Sequence, residues 1–268
     1  MNSIYTRVKT LAIRIGVSLA GAALVASCAV FTTTLQSGTV AAWDKYIARG
    51  ECGIAAGSAP LKINGDAATL RDLNPSGTNA GEDIRGGYIH DWVGAVLIPD
   101  TSVDAVEAVL EDYSSYPHKY APELKIASAS KMAGDAEGRD YDVRMVTERA
   151  EGIGLHFAFD LRSRVSFRNL GAEARIDSRS YLIRESNSGK PPYTDLLREG
   201  NDHGILWRLN SYWRLRQMGS SVYAELRVIS LSRKPLAGTR DLVKSRARES
   251  LEFTLMKTRS AVPVRAGG

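Results

Sequence analysis

Thr239-Arg-Asp-Leu-Val-Lys-Ser-Arg-Ala-Arg-Glu-Ser-Leu-Glu-Phe-Thr-Leu-Met-Lys-Thr-Arg-Ser-Ala-Val262 follows Gly238 and stops at Pro263. Leu242, Val243, Ala247, Leu251, Leu255 and Val262 fall on one broad face, which predicts a helix of about 24 residues, roughly 36 Å long. It is the only long amphipathic helix the pattern offers. An apolar helix face must be buried against another element, and the sequence before it supplies strands.

Strand patterns recur at residues 124–132, 141–150, 155–167, 174–184, 204–215 and 222–232. Turn-forming clusters separate them: Gly134-Asp135, Glu151-Gly-Ile-Gly154, Asn169-Leu-Gly171, Ser186-Asn-Ser-Gly189 and Gly219-Ser-Ser221. This spacing predicts an antiparallel meander. Upstream, residues 88–98 form an extended run between a glycine pair and Pro99. Capping hydroxyls and carboxylates at residues 100–104 then open a short helix carrying Val103, Val106, Ala108, Val109 and Leu110. Ser114, Ser115 and Tyr116-Pro117 are expected to stop it, since the residue before proline is disfavoured in the helical region. One antiparallel sheet with an apolar face, covered by the final helix, is an α+β architecture.

The N-terminal part reads differently. Residues 39–50 place Val40, Trp43 and Ile47 at helical spacing and end at Gly50, predicting a short helix. Residues 53–87 are rich in glycine, with Pro60 and Asn74-Pro75, and read as loops with one strand and turn at 61–65. Before them, Arg7, Lys9 and Arg14 precede an uncharged apolar stretch at 15–30, the pattern of an export signal. Val25-Ala26-Ser27-Cys28 looks like a lipobox, making Cys28 the candidate lipidation site; an ordinary cleaved signal and an uncleaved anchor helix are the alternatives. The expected organisation is a leader at 1–36, a helix and irregular extension at 37–86, and the main domain at 87–268. An exported location, periplasmic or lipid-anchored to a bacterial membrane, follows as an expectation.

Composition is ordinary for a globular chain: of 268 residues, 44% are hydrophobic and 24% charged. The net charge of +5 is unevenly placed, with +3 in residues 1–28, −4 in 29–231 and +6 in 232–268. That partition, with export, argues against a nucleic-acid partner and leaves a basic C-terminal helix either solvated or leaning on anionic lipid. Cys28 and Cys52 are the only cysteines, so lipidation or removal of the first leaves no disulfide.

A strand, a short helical segment, a run of antiparallel strands and one long C-terminal helix resemble the START-like, or SRPBCC, helix-grip superfamily. Residues 87–99 carry the likeness, with Leu110-Glu-Asp-Tyr113, Tyr116, Tyr120-Ala-Pro-Glu-Leu124, residues 204–214, Ile229-Ser-Leu-Ser-Arg233 and the final helix. The resemblance implies a curved antiparallel sheet wrapped around the helix, a short helix pair after the first strand, and an apolar cavity. It also implies that Tyr113, Tyr116 and Tyr120 border the cavity mouth, where they either contact a ligand or simply pack.

His90, His118, His156 and His203 lack any metal-ligand spacing, and no phosphate-cradling or nucleophile-elbow motif occurs, so no metal and no cofactor are expected. His90-Asp91-Trp92 lies mid-strand, with His90 and Trp92 as candidate contacts. Alternation places Trp207, Leu209, Ser211 and Trp213 on one face and Arg208, Asn210, Tyr212 and Arg214 on the other. Arg208 or Arg227 pairs with Glu225 on this reading. Arg208, Asn210, Tyr212 and Glu225 then either form a solvated row or point inward and orient a ligand's polar head. The leading expectation is non-enzymatic binding of a hydrophobic or amphipathic small molecule, perhaps lipid-like. The alternatives are a cyclase- or dehydratase-like enzyme using His90, Tyr212 and Glu225, or an envelope interaction protein with a filled core.

Overall fold

The computed structural model describes residues 32–56, 59–133, 139–151 and 155–263. Residues 1–31 of the expected leader, Cys28 among them, and Arg265 lie outside them, as does the side chain of His156. The elements in chain order are β1 (Thr33–Thr34), α1 (Ser37–Ala56), β2 (Thr69–Asp72), β3 (Gly87–Ile98), α2 (Val103–Glu111) and a 3-10 turn at Tyr113–Ser115. There follow α3 (Tyr116–Lys119), β4 (Leu124–Lys131), β5 (Asp140–Glu151), β6 (Leu155–Asn169), β7 (Glu173–Ser186), β8 (Asn201–Asp202), β9 (Arg208–Met218), β10 (Ser221–Arg233) and α4 (Arg240–Ala261). Eight strands make one sheet in the order β2-β3-β10-β9-β7-β6-β5-β4, every neighbour antiparallel. β1 and β8 pair separately.

β3 is central because both its faces are covered. Only Trp92 and Leu97 escape full burial along its length, which explains why its sequence reads as an almost continuous apolar run. On the inner face, α4 crosses β3 at Gly94. A side chain there would place its Cβ 2.7 Å from Leu255 Cδ1 and 2.4 Å from Leu70 Cδ2, so the absence of one lets the helix approach the strand. Leu251 and Leu255 are buried at this crossing with Val96, Val106, Val143, Phe167, Leu215 and Leu226. α2 covers the same core from the end of β3, held at its start by Ser102, whose Oγ accepts from the Ala105 N–H.

The outer face carries α1. Trp43 packs with Ile84, Ile89, Trp207, Ile229 and Leu231, and Tyr46 and Ile47 lie against this group. α1 runs past the expected stop at Gly50 because that glycine sits inside the helix–sheet contact. A Cβ on it would lie 3.4 Å from both Arg227 Nη2 and Ile229 Cδ1. The extension differs in a second place. Residues 61–65 form no strand; Leu61 is instead tied to β10 by its N–H donating to Tyr223 Oη at 2.8 Å. The added strand is β2, which pairs with β3. Tyr116 is also helical despite the proline after it (φ −56°, ψ −41°), so α2 ends earlier, at Asp112.

Candidate functional site

The buried apolar contact between helix and sheet centres on Leu251 and Leu255. Towards the start of α4 they separate, leaving a cavity of about 500 Å³. Leu242, Val243, Ala247, Ser250 and Thr254 of α4 form one wall, and the opposing wall draws on β3, β10, β9, β7, β6, β5 and, through Leu124, β4. Seven strands can border one cavity only if the sheet curves around it. The lining is mainly apolar: Trp92, Phe157, Phe159, Leu161, Leu209, Trp213, Leu226 and Val228 all contribute. Its size falls within the roughly 300–1,000 Å³ of small-molecule sites.

Tyr113, Tyr116 and Tyr120 close one end. Their rings pack in series, first tilted and then edge-on, with 4.9 Å between centroids at each step. Tyr116 Oη donates to the Leu110 carbonyl, and Tyr120 Oη lies 2.9 Å from Thr258 Oγ1 on α4. Burial holds all three phenols above their usual pKa range, Tyr120 at about 12. The series is therefore a packed wall that also faces the cavity.

His90 and Trp92 line the cavity from β3. His90 is 5% exposed, its Nε2 lies 3.1 Å from Ser232 Oγ, and its Nδ1 has no hydrogen-bond partner among the described residues. Burial pushes its pKa down to about 4, partly opposed by the Asp72 carboxylate, so the ring is neutral at physiological pH. Charged side chains meet the cavity where it nears solvent. Arg149 Nη2 and Arg246 Nη1 both donate to Glu249 Oε2, at 3.1 and 2.8 Å, linking β5 to α4. His203 Nδ1 lies 2.9 Å from Glu185 Oε1.

The row Arg208, Asn210, Tyr212 and Glu225 does not enter the cavity; these side chains occupy the outer face. Tyr212 Oη donates to Glu51 Oε1 of α1 at 2.7 Å and accepts from Asn210 Nδ2. Arg208 pairs with Glu199 at 3.1 Å. Glu225 accepts from Tyr223 Oη at 2.6 Å, so neither Arg208 nor Arg227 is its partner. Arg227 instead grips the fully buried Asp91 bidentately, at 2.8 and 2.6 Å, and Tyr46 Oη donates to the same carboxylate. The physical reason is α1: a helix laid on the outer face supplies buried polar partners there, leaving the alternate residues to face the cavity. Trp207 also departs from its expected row. It lies just before β9 and turns to the outer cluster, where its Nε1 donates to Asp202 Oδ1 at 2.9 Å.

His90 on one face and Tyr212 and Glu225 on the other cannot meet at a single substrate, so that acid–base trio fails. The space under the helix is open, so the filled-core reading fails as well. The basic charge of α4 is largely engaged: Lys244 with Asp72 at 2.7 Å, Arg259 with Asp66 at 2.6 Å, and Arg246 with Glu249. Sequence reasoning passed over the cavity-facing serines Ser178, Ser211, Ser230 and Ser232, although the alternation that put Ser211 beside Leu209 and Trp213 was the signal for one of them.

No family model matches the chain, and no curated protein matches it in sequence. Solved structures are similar in shape. Human STARD10 has a TM-score of 0.49 at 15% identity, covering 81% of this chain and 79% of its own. A START superfamily protein from Mycobacterium smegmatis gives 0.43 at 14%, covering 64% and 96%. The Zhui aromatase/cyclase from Streptomyces sp. R1128 gives 0.43 at 13%, covering 65% and 94%. The description of the fold rests on the topology itself. In strand order and helix position the chain has a helix-grip architecture, an antiparallel sheet closed over one long C-terminal helix.

Proposed function

We propose that the protein binds a hydrophobic or amphipathic small molecule, non-covalently, in the cavity between α4 and the sheet. The observation that carries this reading is a mainly apolar space of about 500 Å³ between α4 and the sheet. Water gains little from such a lining, whereas an apolar ligand removes it from contact with solvent at about 25 cal/mol per Å². The leader with Arg7, Lys9, Arg14 and Cys28 supports a bacterial envelope location, with lipidation at Cys28 as an anchor. A carrier or reservoir for an envelope lipid fits both features.

Native mass spectrometry of protein purified without detergent tests the reading. A bound species released on denaturation, and lost in the cavity-filling variant Val228→Trp, is the expected result. A ligand-free protein that also takes up no apolar dye overturns it. Intact-mass measurement of the protein from cells tests the anchor separately: a mature chain beginning at a diacylated Cys28 is expected, and a chain starting elsewhere removes lipidation.

A further inference from the structure

One feature of the cavity wall is at odds with simple apolar binding. Ser178 of β7 stands opposite Ser211 of β9, and Ser230 of β10 stands opposite His90 of β3. Ser230 itself faces Leu209, two residues from Ser211, so the four positions form one diagonal across four adjacent strands. All four line the cavity, and among the described residues none of the three serine hydroxyls has a side-chain hydrogen bond. Three strand spacings of about 4.8 Å give the stripe a length of roughly 14 Å.

The tautomer of His90 follows from its neighbour. Ser232 Oγ donates to the Arg233 carbonyl at 3.0 Å, so toward His90 it acts as an acceptor and the Nε2–H is the donor. The neutral ring then carries its lone pair on Nδ1, the atom without a partner. The stripe thus offers three hydroxyls to the cavity and no charge, while the His90 Nδ1 lies sealed behind the lining. The three serines are half-buried and open to the cavity, so a ligand that displaces water from them loses least when it brings oxygens of its own.

Resting on the binding function proposed above, we infer that the part of the ligand lying along this stripe is uncharged and carries hydroxyl or carbonyl oxygens spaced along an apolar body, any charged end lying at the mouth, where Arg149, Arg233 and Arg246 line the cavity. A carboxylate or phosphate finds no cation on this stripe and is excluded from it by the cost of burying its charge.

Displacement of the neutral dye N-phenylnaphthylamine tests this. The probes are decanediol with a hydroxyl at each end, and decanedioate of the same chain length, which cannot keep both of its carboxylates at the mouth. Wild-type protein should bind the dye and release it to the diol at concentrations at least about tenfold below those needed for decanedioate. The triple variant Ser178→Val, Ser211→Val, Ser230→Val should keep dye binding and lose about tenfold in diol affinity. Absence of dye binding in wild type overturns the cavity-binding function and this inference with it. Dye binding with equal displacement by both probes, or a diol affinity unchanged in the valine variant, overturns the inference alone. Should the triple variant fold poorly, Ser211→Val by itself, with an expected loss of a few-fold, serves the same comparison.

Discussion

The two faces of the β3-β10-β9 wall are built from alternate residues of the same strands, yet they treat polar groups in opposite ways. On the outer face Asp91, Arg227 and Tyr46 satisfy one another, as do Glu51, Tyr212 and Asn210, all beneath α1. On the inner face Ser178, Ser211 and Ser230 border an open cavity. Polar residues that complete one another hold a helix in place. Polar residues that line an open cavity are placed to meet what enters it.

The largest effect should come from breaking the outer set. Asp91→Ala leaves the Arg227 guanidinium uncompensated under α1 and is expected to cost about 3–5 kcal/mol, read as a fall in the denaturation midpoint. The inner face gives the next, through pH. His90 is neutral in the folded protein to about pH 4, whereas its unfolded value is 6.5. Between those values the unfolded chain binds the extra proton, so stability falls as pH drops, by about 3 kcal/mol in all. His90→Phe should remove that part of the slope. A wild-type and variant pair with parallel stability–pH curves would contradict it.

Gly94→Ala comes third. The added methyl meets Leu70 and Leu255 and should cost about 1–3 kcal/mol by forcing α4 off β3, measured by chemical denaturation. An unchanged midpoint would mean that the helix is less tightly seated there. The smallest effect sharpens the contrast most: Ser211→Val removes a hydroxyl with no partner and should change stability by less than about 0.5 kcal/mol. A loss approaching that of Asp91→Ala would place Ser211 in a structural network and dissolve the distinction between the faces.

Much of the fold was legible because it is written in local periodicity. The final helix, the strand at 88–98 and the six later strands each lie within a few residues of their expected bounds. The face assignment was harder. Alternation at 208–215 separates two rows, but which row faces inward depends on what covers each side, and α1 is far away in sequence. Gly50 read as a stop because its contact with Arg227 and Ile229 is tertiary. The same limit applied to the candidate contacts. His90, Trp92, Tyr113, Tyr116 and Tyr120 border the cavity, whereas Arg208, Asn210, Tyr212 and Glu225 stand out for polarity and lie on the outer face, where Glu51 of α1, the turn residue Glu199 and residues of their own strands are their partners. The serines were missed for the complementary reason: a small hydroxyl residue in a strand carries no chemical signature until its neighbours fail to bond it.

The central claim is that the space beneath the first half of α4 holds a ligand. Native mass spectrometry of wild-type protein beside Val228→Trp, whose indole would occupy the space between Trp92 and Ser211, addresses it directly. The account predicts a stoichiometric adduct on the wild type and its loss from a stably folded variant. An adduct of equal occupancy on both proteins would place the ligand elsewhere and contradict the account.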